Sequence, residues 1–154
     1  MITYTLMLSE YFLKGHPRCG EPTNFVENFR TAKLHTIRGN YELWAKRFEK
    51  IERGEAYLSV RVWDGAPFAS KQRVIANLGK TDGIGLQLLQ FRGRTGFTWI
   101  GTPFIDHNRL HEIVKLANND GLSYEDWVNW FSSNPKYDLT EDFAIIHFTE
   151  FRYN

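Results

Sequence analysis

The sequence predicts an α+β domain built on a curved, mostly antiparallel β-sheet, and three observations support this fold class. The 154 residues are enough for one domain with a core of its own. Apolar residues make up 42% of the chain and charged residues 24%, which is ordinary for a globular protein. Segments of strand character are interrupted by segments of helical spacing, without the regular alternation of a parallel sheet. We therefore expect a single domain over residues 1–154.

The first element expected is a strand over Thr3–Leu8, which is rich in β-forming residues. A loop follows over Lys14–Pro22, since this stretch contains two glycines and two prolines. A short helix is predicted from about Asn24, with Phe25 and Phe29 on one face.

A longer helix is predicted over Tyr41–Arg53, with Gly54 as its C-terminal stop. Four apolar side chains recur at helical spacing and are expected to pack inward: Tyr41, Trp44, Phe48 and Ile51. Tyr57–Trp63 then alternates apolar and polar residues as a half-buried strand does. After a turn that contains Gly65 and Pro67, Lys71–Leu78 is expected to be the returning strand.

The second half of the chain is expected to begin with a hairpin of Ile84–Phe91 and Phe97–Ile100. A helix is predicted from about Asn108 to the turn at 119–121, burying four aliphatic side chains: Leu110, Ile113, Val114 and Ala117. Ser123 and Asp126 form a capping box for a short helix that carries Trp127, Trp130 and Phe131. Phe143–Tyr153 is nearly all β-forming and is expected to be a central strand.

Charge and composition exclude several classes of protein. A net charge of +1 is too small for a protein that coats nucleic acid non-specifically. Cys19 is the single cysteine, so we expect neither an internal disulfide nor a cysteine-built zinc site. His107 and His111 have the spacing of a helical metal pair but lack a third ligand, so no metal and no cofactor is expected. Without an apolar stretch of membrane-spanning length or a signal sequence, we expect no membrane contact and a cytoplasmic location.

The segment Lys33-Leu34-His35-Thr36-Ile37-Arg38 is the strongest candidate for a functional site. It places an amine, an imidazole, a hydroxyl and a guanidinium around two aliphatic residues that can anchor it to a core. An ordinary half-buried strand has the same pattern. If the segment is a site, His35 and Arg38 are candidates for ligand binding.

The pattern Lys-x-x-Thr-Ile-Arg after a short predicted helix resembles the signature of ASCH domains, which belong to the PUA-like β-barrels. The C-terminal half is also similar, with a helix that leads into Leu116–Ser123, a second helix and a final strand over 144–148. The resemblance implies a PUA-like curved β-barrel with peripheral helices packed around it.

Two functions follow from this resemblance. Many PUA-like domains bind RNA, which implies an RNA or nucleoside-like partner in a cleft edged by the motif. A small bacterial branch hydrolyses the amide of acetylated cytidine with a lysine, a threonine and a carboxylate. Those positions correspond to Lys33, Thr36 and Asp120 of this chain, and the branch has glutamate where Asp120 stands.

The residues alone leave these roles open. In a regular strand Lys33 and Thr36 would point to opposite faces, so they converge only if Lys33 precedes the strand or a bulge intervenes. Asn-Asp-Gly after a helix is also what a C-terminal turn needs, which would explain Asp120 without any function.

Basic and aromatic residues elsewhere are further candidates for ligand binding. Arg92 and Arg94 precede aromatic residues at an expected hairpin tip, a pattern that suits backbone phosphates and stacked bases. Arg61 and Trp63 share a strand face and could form a stacking wall; a cation–π pair under a loop is the alternative.

The expected function is thus binding of RNA or a nucleoside-like ligand, with an amidohydrolase of acylated nucleosides as the alternative. A vestigial cleft is the third alternative. An RNA binder needs a positive path that leads away from the cleft. A small-molecule hydrolase needs a closed pocket that brings together Lys33, Thr36 and Asp120.

Overall fold

The computed structural model describes residues 1–93 and 100–154, and these residues form eight strands and three helices. In chain order the elements are β1 (Ile2–Met7), β2 (His35–Gly39), α1 (Tyr41–Glu52), β3 (Ala56–Trp63), β4 (Gln72–Leu78), β5 (Gly85–Arg92), β6 (Thr102–Ile105), β7 (Asn108–Arg109), α2 (Ile113–Asn119), α3 (Tyr124–Ser132) and β8 (Phe143–His147).

The described strands form two sheets, with orders β1-β3-β4 and β2-β8-β5-β6-β7. Only the pairing of β1 with β3 is parallel among the pairings of these strands. The α+β class and the mostly antiparallel pairing are therefore confirmed. The hydrogen-bonded ladders of the described residues do not close into a barrel. One continuous core contains apolar side chains from both sheets.

Helix α1 confirms the prediction from its apolar stripe. Asn40 caps it, since the Leu43 N–H donates to Asn40 Oδ1 at 3.3 Å. Trp44, Phe48 and Ile51 are buried, while Tyr41 at the first turn is half-buried. The helix presents an apolar face to the sheets because these positions recur every three or four residues.

The hairpin of β3 and β4 also follows the predicted alternation. Leu58, Val60 and Val62 are fully buried on the core face of β3. β4 returns antiparallel to β3, with a shift of register between Val60 and Arg61. The turn that joins the two strands, residues 64–71, lies beside the cleft described below.

The short helix predicted from Asn24 is wrong. Residues 25–28 and 30–32 form turns, because Arg30 adopts a left-handed backbone angle of φ 67° that a helix cannot continue through. The Asn28 carbonyl instead accepts the N–H groups of residues 31–33. This arrangement directs the chain into Lys33.

The boundaries predicted between residues 97 and 119 also need correction. The strand that follows β5 and pairs with it is Thr102–Ile105 rather than the predicted Phe97–Ile100, of which residues 97–99 lie outside the described part of the chain. The helix begins at Ile113 and not at Asn108, because left-handed angles at residues 106 and 107 turn the chain into the short strand β7. Val114 is consequently half exposed rather than buried.

The C-terminal elements agree more closely with the predictions. The Asp126 N–H donates to Ser123 Oγ at 3.2 Å and caps α3, whose Trp127 and Phe131 are buried. β8 lies between β2 and β5 and is central as predicted. It ends at His147, so the predicted strand is too long by six residues; the segment that follows packs Tyr153 against the core.

Candidate functional site

Lys33 precedes the strand, which decides on which face its side chain lies. Strand β2 begins at His35, and Lys33 forms an isolated antiparallel bridge with Asp120, 87 residues later. The Leu34 N–H donates to the Asn119 carbonyl at 2.7 Å and strengthens this pairing. Lys33 and Thr36 therefore line the same cleft although their spacing would separate them in a regular strand.

Lys33 and Asp120 form a buried ion pair. The Lys33 ammonium donates to Asp120 Oδ1 at 3.0 Å and to the Asp120 carbonyl at 2.7 Å. It also lies 4.0 Å from the centre of the Phe25 ring. Only 1% of Lys33 is exposed, and burial lowers the pKa of its amine although the Asp120 carboxylate opposes this shift.

Asp120 is placed by the end of α2. It is the C-cap residue, and its N–H donates to the Ala117 carbonyl at 3.0 Å. A negative charge is unfavourable at the C-terminal end of a helix dipole. The Lys33 ammonium neutralises the Asp120 carboxylate and also donates a hydrogen bond to the Asp120 backbone carbonyl. Gly121, with φ 84°, packs against the Lys33 stem, since a Cβ there would lie 3.1 Å from the Lys33 Cβ.

The second carboxylate oxygen is held by an aromatic donor. The indole N–H of Trp127 donates to Asp120 Oδ2 at 3.1 Å, and the Trp127 side chain is completely buried. Burial alone would raise the pKa of the Asp120 carboxyl, but Lys33 and His35 together hold this pKa below its usual value. The carboxylate is therefore ionised and fixed from two sides.

His35 forms a layer behind this pair, together with Tyr153. His35 Nε2 lies 2.7 Å from the Tyr153 hydroxyl, which also accepts from the side-chain amide of Asn119 at 3.1 Å. His35 Nδ1 lies 3.5 Å from Asp120 Oδ1 and makes no hydrogen bond within the described residues. Burial lowers the pKa of His35 and raises that of Tyr153, so both side chains are neutral at pH 7.

Thr36 and Arg38 form the second polar group of the site. Arg38 Nη1 donates to Thr36 Oγ1 at 2.8 Å, and Arg38 Nη2 donates to the Met7 carbonyl at 2.6 Å. Arg38 is thus held by the backbone of β1 and in turn positions the Thr36 hydroxyl. A positive donor on this oxygen stabilises it as its proton leaves.

Lys33, Thr36, Arg38 and Asp120 line one cleft of about 410 Å³. This volume is typical of a small-molecule site. Aromatic side chains from four parts of the chain complete its walls: Phe25, Trp44, Trp63, Phe68, Trp130, Phe131 and Tyr137. The cleft thus combines an apolar aromatic lining with a few buried polar groups.

A second cavity of about 580 Å³ lies between β6, β7 and the start of α3. Its ionisable lining residues are Arg109, His111 and Glu125, and all three are exposed. Buried charged groups indicate a functional site more strongly than solvated ones do. We therefore take the cleft at Lys33 as the candidate site.

The other predicted ligand residues have different positions. Trp63 lines the cleft, whereas His35 lies behind its polar floor. Arg61 is not part of the described lining; it donates to Ser59 Oγ and to Gln72 Oε1 instead. Arg92 donates to Gln90 and stacks on Phe104, also away from the cleft. Arg94 lies outside the described residues.

Sequence reasoning did not identify Trp127, Tyr153 and Phe68 as parts of the site. Trp127 and Tyr153 resemble core aromatics in the sequence, and their polar atoms acquire partners only through tertiary contacts. Phe68 lies in a turn that contains Gly65 and Pro67, where an aromatic residue is unexpected. An aromatic residue in such a turn is the one feature of the sequence that could have indicated Phe68.

Comparisons with protein-family models, with curated proteins and with solved structures find no match for this chain. Within residues 1–93 and 100–154, no three histidine, cysteine or acidic side chains are grouped as metal ligands. No helix of that part of the chain has the length and apolar character needed to cross a membrane.

The buried histidines make acid lability an expected property. His147 is fully buried, its Nε2 donates to Gln87 Oε1 at 2.9 Å, and its Nδ1 has no partner among the described residues. Burial, with His35 and Arg152 nearby, lowers the pKa of His147 to about 2. Below about pH 6.5 the unfolded chain therefore binds a proton that the folded chain does not, so the free energy of unfolding falls with pH.

Between pH 7 and pH 5 we expect His147 to lower the free energy of unfolding by about 2 kcal/mol. His35 adds a loss of the same sign because its pKa is also lowered. Urea unfolding at the two pH values measures this loss. The loss of unfolding free energy between the two pH values should be smaller in His147→Gln than in wild type. It should be unchanged in the control His107→Gln, which replaces an exposed histidine. An unfolding free energy that is equal at pH 7 and pH 5 would contradict the prediction.

Proposed function

We propose that this chain binds a small nucleoside-like molecule in the cleft and hydrolyses an amide bond of it, with Thr36 as the nucleophile. The observation that carries the proposal is the convergence of Lys33, Thr36, Arg38 and Asp120 on one aromatic-walled cleft of about 410 Å³. A cleft of this size encloses a small molecule, and its buried polar groups can act on one bond of that molecule.

The proposed first step is attack by Thr36. Its Oγ1 adds to the amide carbonyl carbon and transfers its proton to Lys33 in those molecules in which the Lys33 amine has lost its own proton, while Arg38 stabilises the oxygen. The carbon–nitrogen bond then breaks, and the same proton passes to the leaving nitrogen. Burial of Lys33 supports this role because it increases the neutral fraction of the amine.

The second step returns the enzyme to its starting state. A water molecule attacks the ester formed on Thr36, which releases a carboxylic acid and restores the hydroxyl. Asp120 orients the Lys33 amine throughout. Aspartate is shorter than the glutamate of the ASCH branch by one methylene, but its Oδ1 already lies 3.0 Å from Lys33 Nζ, so the shorter side chain reaches the amine.

We also propose that the fold is a PUA-like, ASCH-type variant and that the protein is cytoplasmic. The α+β class, the mostly antiparallel sheets and the order of helices before β8 support this fold assignment. RNA binding stays a prediction. The basic groups in the lining are Lys33, Arg38 and Lys136, and the first of these is engaged by Asp120.

The test is release of cytidine from cytidine acetylated on its exocyclic amine. Wild type should release it above a no-enzyme control, and Arg38→Met should lower kcat about a hundredfold because the donor to the nucleophile is lost. Arg61→Met is the matched control, since Arg61 also donates to a hydroxyl two residues earlier, that of Ser59 at 2.9 Å, but outside the cleft lining. It should leave kcat within about twofold of the wild-type value.

Two results would count against the proposal. No release across a panel of acyl groups would reject the hydrolase. Equal losses in Arg38→Met and Arg61→Met would show that the effect is structural and does not arise in the cleft. Circular dichroism of both variants establishes that they are folded.

A further inference from the structure

Phe68 is an exposed aromatic residue at the mouth of the cleft. It lies in the turn between β3 and β4, and 91% of its surface is accessible to solvent. With Trp63 and Pro67 it belongs to the lining of the cleft. Contiguous apolar surface beside a pocket, as Trp63, Pro67 and Phe68 form here, is typical of binding sites.

The backbone at Phe68 has a strained conformation. Its φ is 61°, in the left-handed region that glycine adopts freely and a bulky residue does not. The turn around it is braced, because Ser70 Oγ accepts from the Gly65 N–H at 2.9 Å and donates to the Ala66 carbonyl at 2.8 Å. Strain of this kind persists mainly at functional positions.

Phe68 and Trp63 contact each other at the cleft. Their ring centres are 5.2 Å apart and their planes are inclined by 51°. The two rings thus form a corner, which we name the aromatic rim. An additional flat ring that enters the cleft can pack against either face of this corner.

We propose that the aromatic rim of Trp63 and Phe68 selects ligands whose amide is attached to a planar ring. The inference rests on the proposed function for the position of the reacting amide and adds the class of molecule that the cleft accepts. The rim binds the ring while Thr36 and Lys33 meet the amide. A saturated ring of similar size packs less well, because it has no π-face to stack.

Binding of two matched amides tests the rim without requiring turnover. Benzamide and cyclohexanecarboxamide differ in the planarity of the ring, and both are titrated by NMR into the full chain. Wild type should bind benzamide more tightly. Phe68→Ala should lower the affinity for benzamide at least about fivefold, which is the lower end of the effect of one stacked aromatic ring. It should change the affinity for cyclohexanecarboxamide less than about twofold.

Further variants separate binding from folding. Phe68→Tyr keeps the ring and should bind benzamide as wild type does. Phe68→Gly removes both ring and strain, so its thermal midpoint should be at least that of wild type while benzamide binding is lost. Tyr11→Ala is the control, since Tyr11 is an exposed aromatic outside the cleft lining, and it should leave both affinities unchanged.

The outcomes distinguish the rim from the hydrolase. If Phe68→Ala binds both amides as wild type does, the rim is rejected, whether or not acetylated cytidine is hydrolysed. If the preference for benzamide disappears in Phe68→Ala but wild type hydrolyses no acylated nucleoside, the rim is supported and the proposed reaction fails. A wild type without any preference for benzamide also rejects the rim.

Discussion

Thr36→Ala is expected to lower the turnover of acetylated cytidine by at least about a thousandfold, since loss of a nucleophile removes the covalent route. The fold should be retained, because Arg38 keeps its bonds to the carbonyls of Met7 and Ile37 when the threonine hydroxyl is removed. Cytidine release by the purified variant measures the effect. Lys33→Ala should be nearly as damaging, because residues that act as a unit do not contribute additively.

Thr5→Ala is the matched control for this experiment. Thr5 also lines the cleft but lies on β1, and none of the polar contacts described above involves its hydroxyl. Its removal should leave kcat within about threefold of wild type. Thr36→Ser should retain part of the activity since it keeps a hydroxyl. Full activity in Thr36→Ala would show that Thr36 is not the nucleophile.

Asp120→Ala is expected to lower the free energy of unfolding by about 3–5 kcal/mol, the usual cost of removing one partner from a buried ion pair. The Lys33 ammonium would be left without a counter-charge, and the Trp127 indole N–H would lose its acceptor. Urea unfolding at pH 7 measures this change.

Glu10→Ala provides the comparison for an exposed ion pair. Glu10 Oε1 lies 2.6 Å from Arg73 Nη2, and both side chains are partly solvated. Loss of this ion pair should therefore lower the free energy of unfolding by less than about 1 kcal/mol. The double variant Lys33→Met with Asp120→Ala should regain part of the stability, because no unpaired charge remains buried. If Asp120→Ala lowered the free energy of unfolding no more than Glu10→Ala does, the prediction for the buried ion pair would be contradicted.

Several elements of the fold could be predicted because their signals are local. The stripe of α1, the alternation of β3 and the cap at Ser123 each depend on residues a few positions apart. The helix expected from Asn24 failed for a reason that spacing cannot reveal. Its residues have helical periodicity, but the left-handed backbone angle at Arg30 turns the chain away from a helix.

The candidate site was predictable in its residue types and not in its geometry. The motif drew attention to Lys33, Thr36 and Arg38, which lie within six residues of one another and all line the cleft. The contacts that give these residues their electrostatic setting come from distant parts of the chain. Asp120 is 87 residues from Lys33 in sequence, and Trp127 follows on another helix.

The sequence by itself determined the α+β class and the amphipathic elements, because periodicity and capping act over one or two turns of chain. Only the tertiary structure decided that Lys33 lies before β2 and pairs with Asp120. It also decided that His35 faces the protein interior and that Phe68 stands at the cleft. The physical reason is that burial and charge pairing depend on tertiary contacts between distant segments, and local sequence patterns do not specify those contacts.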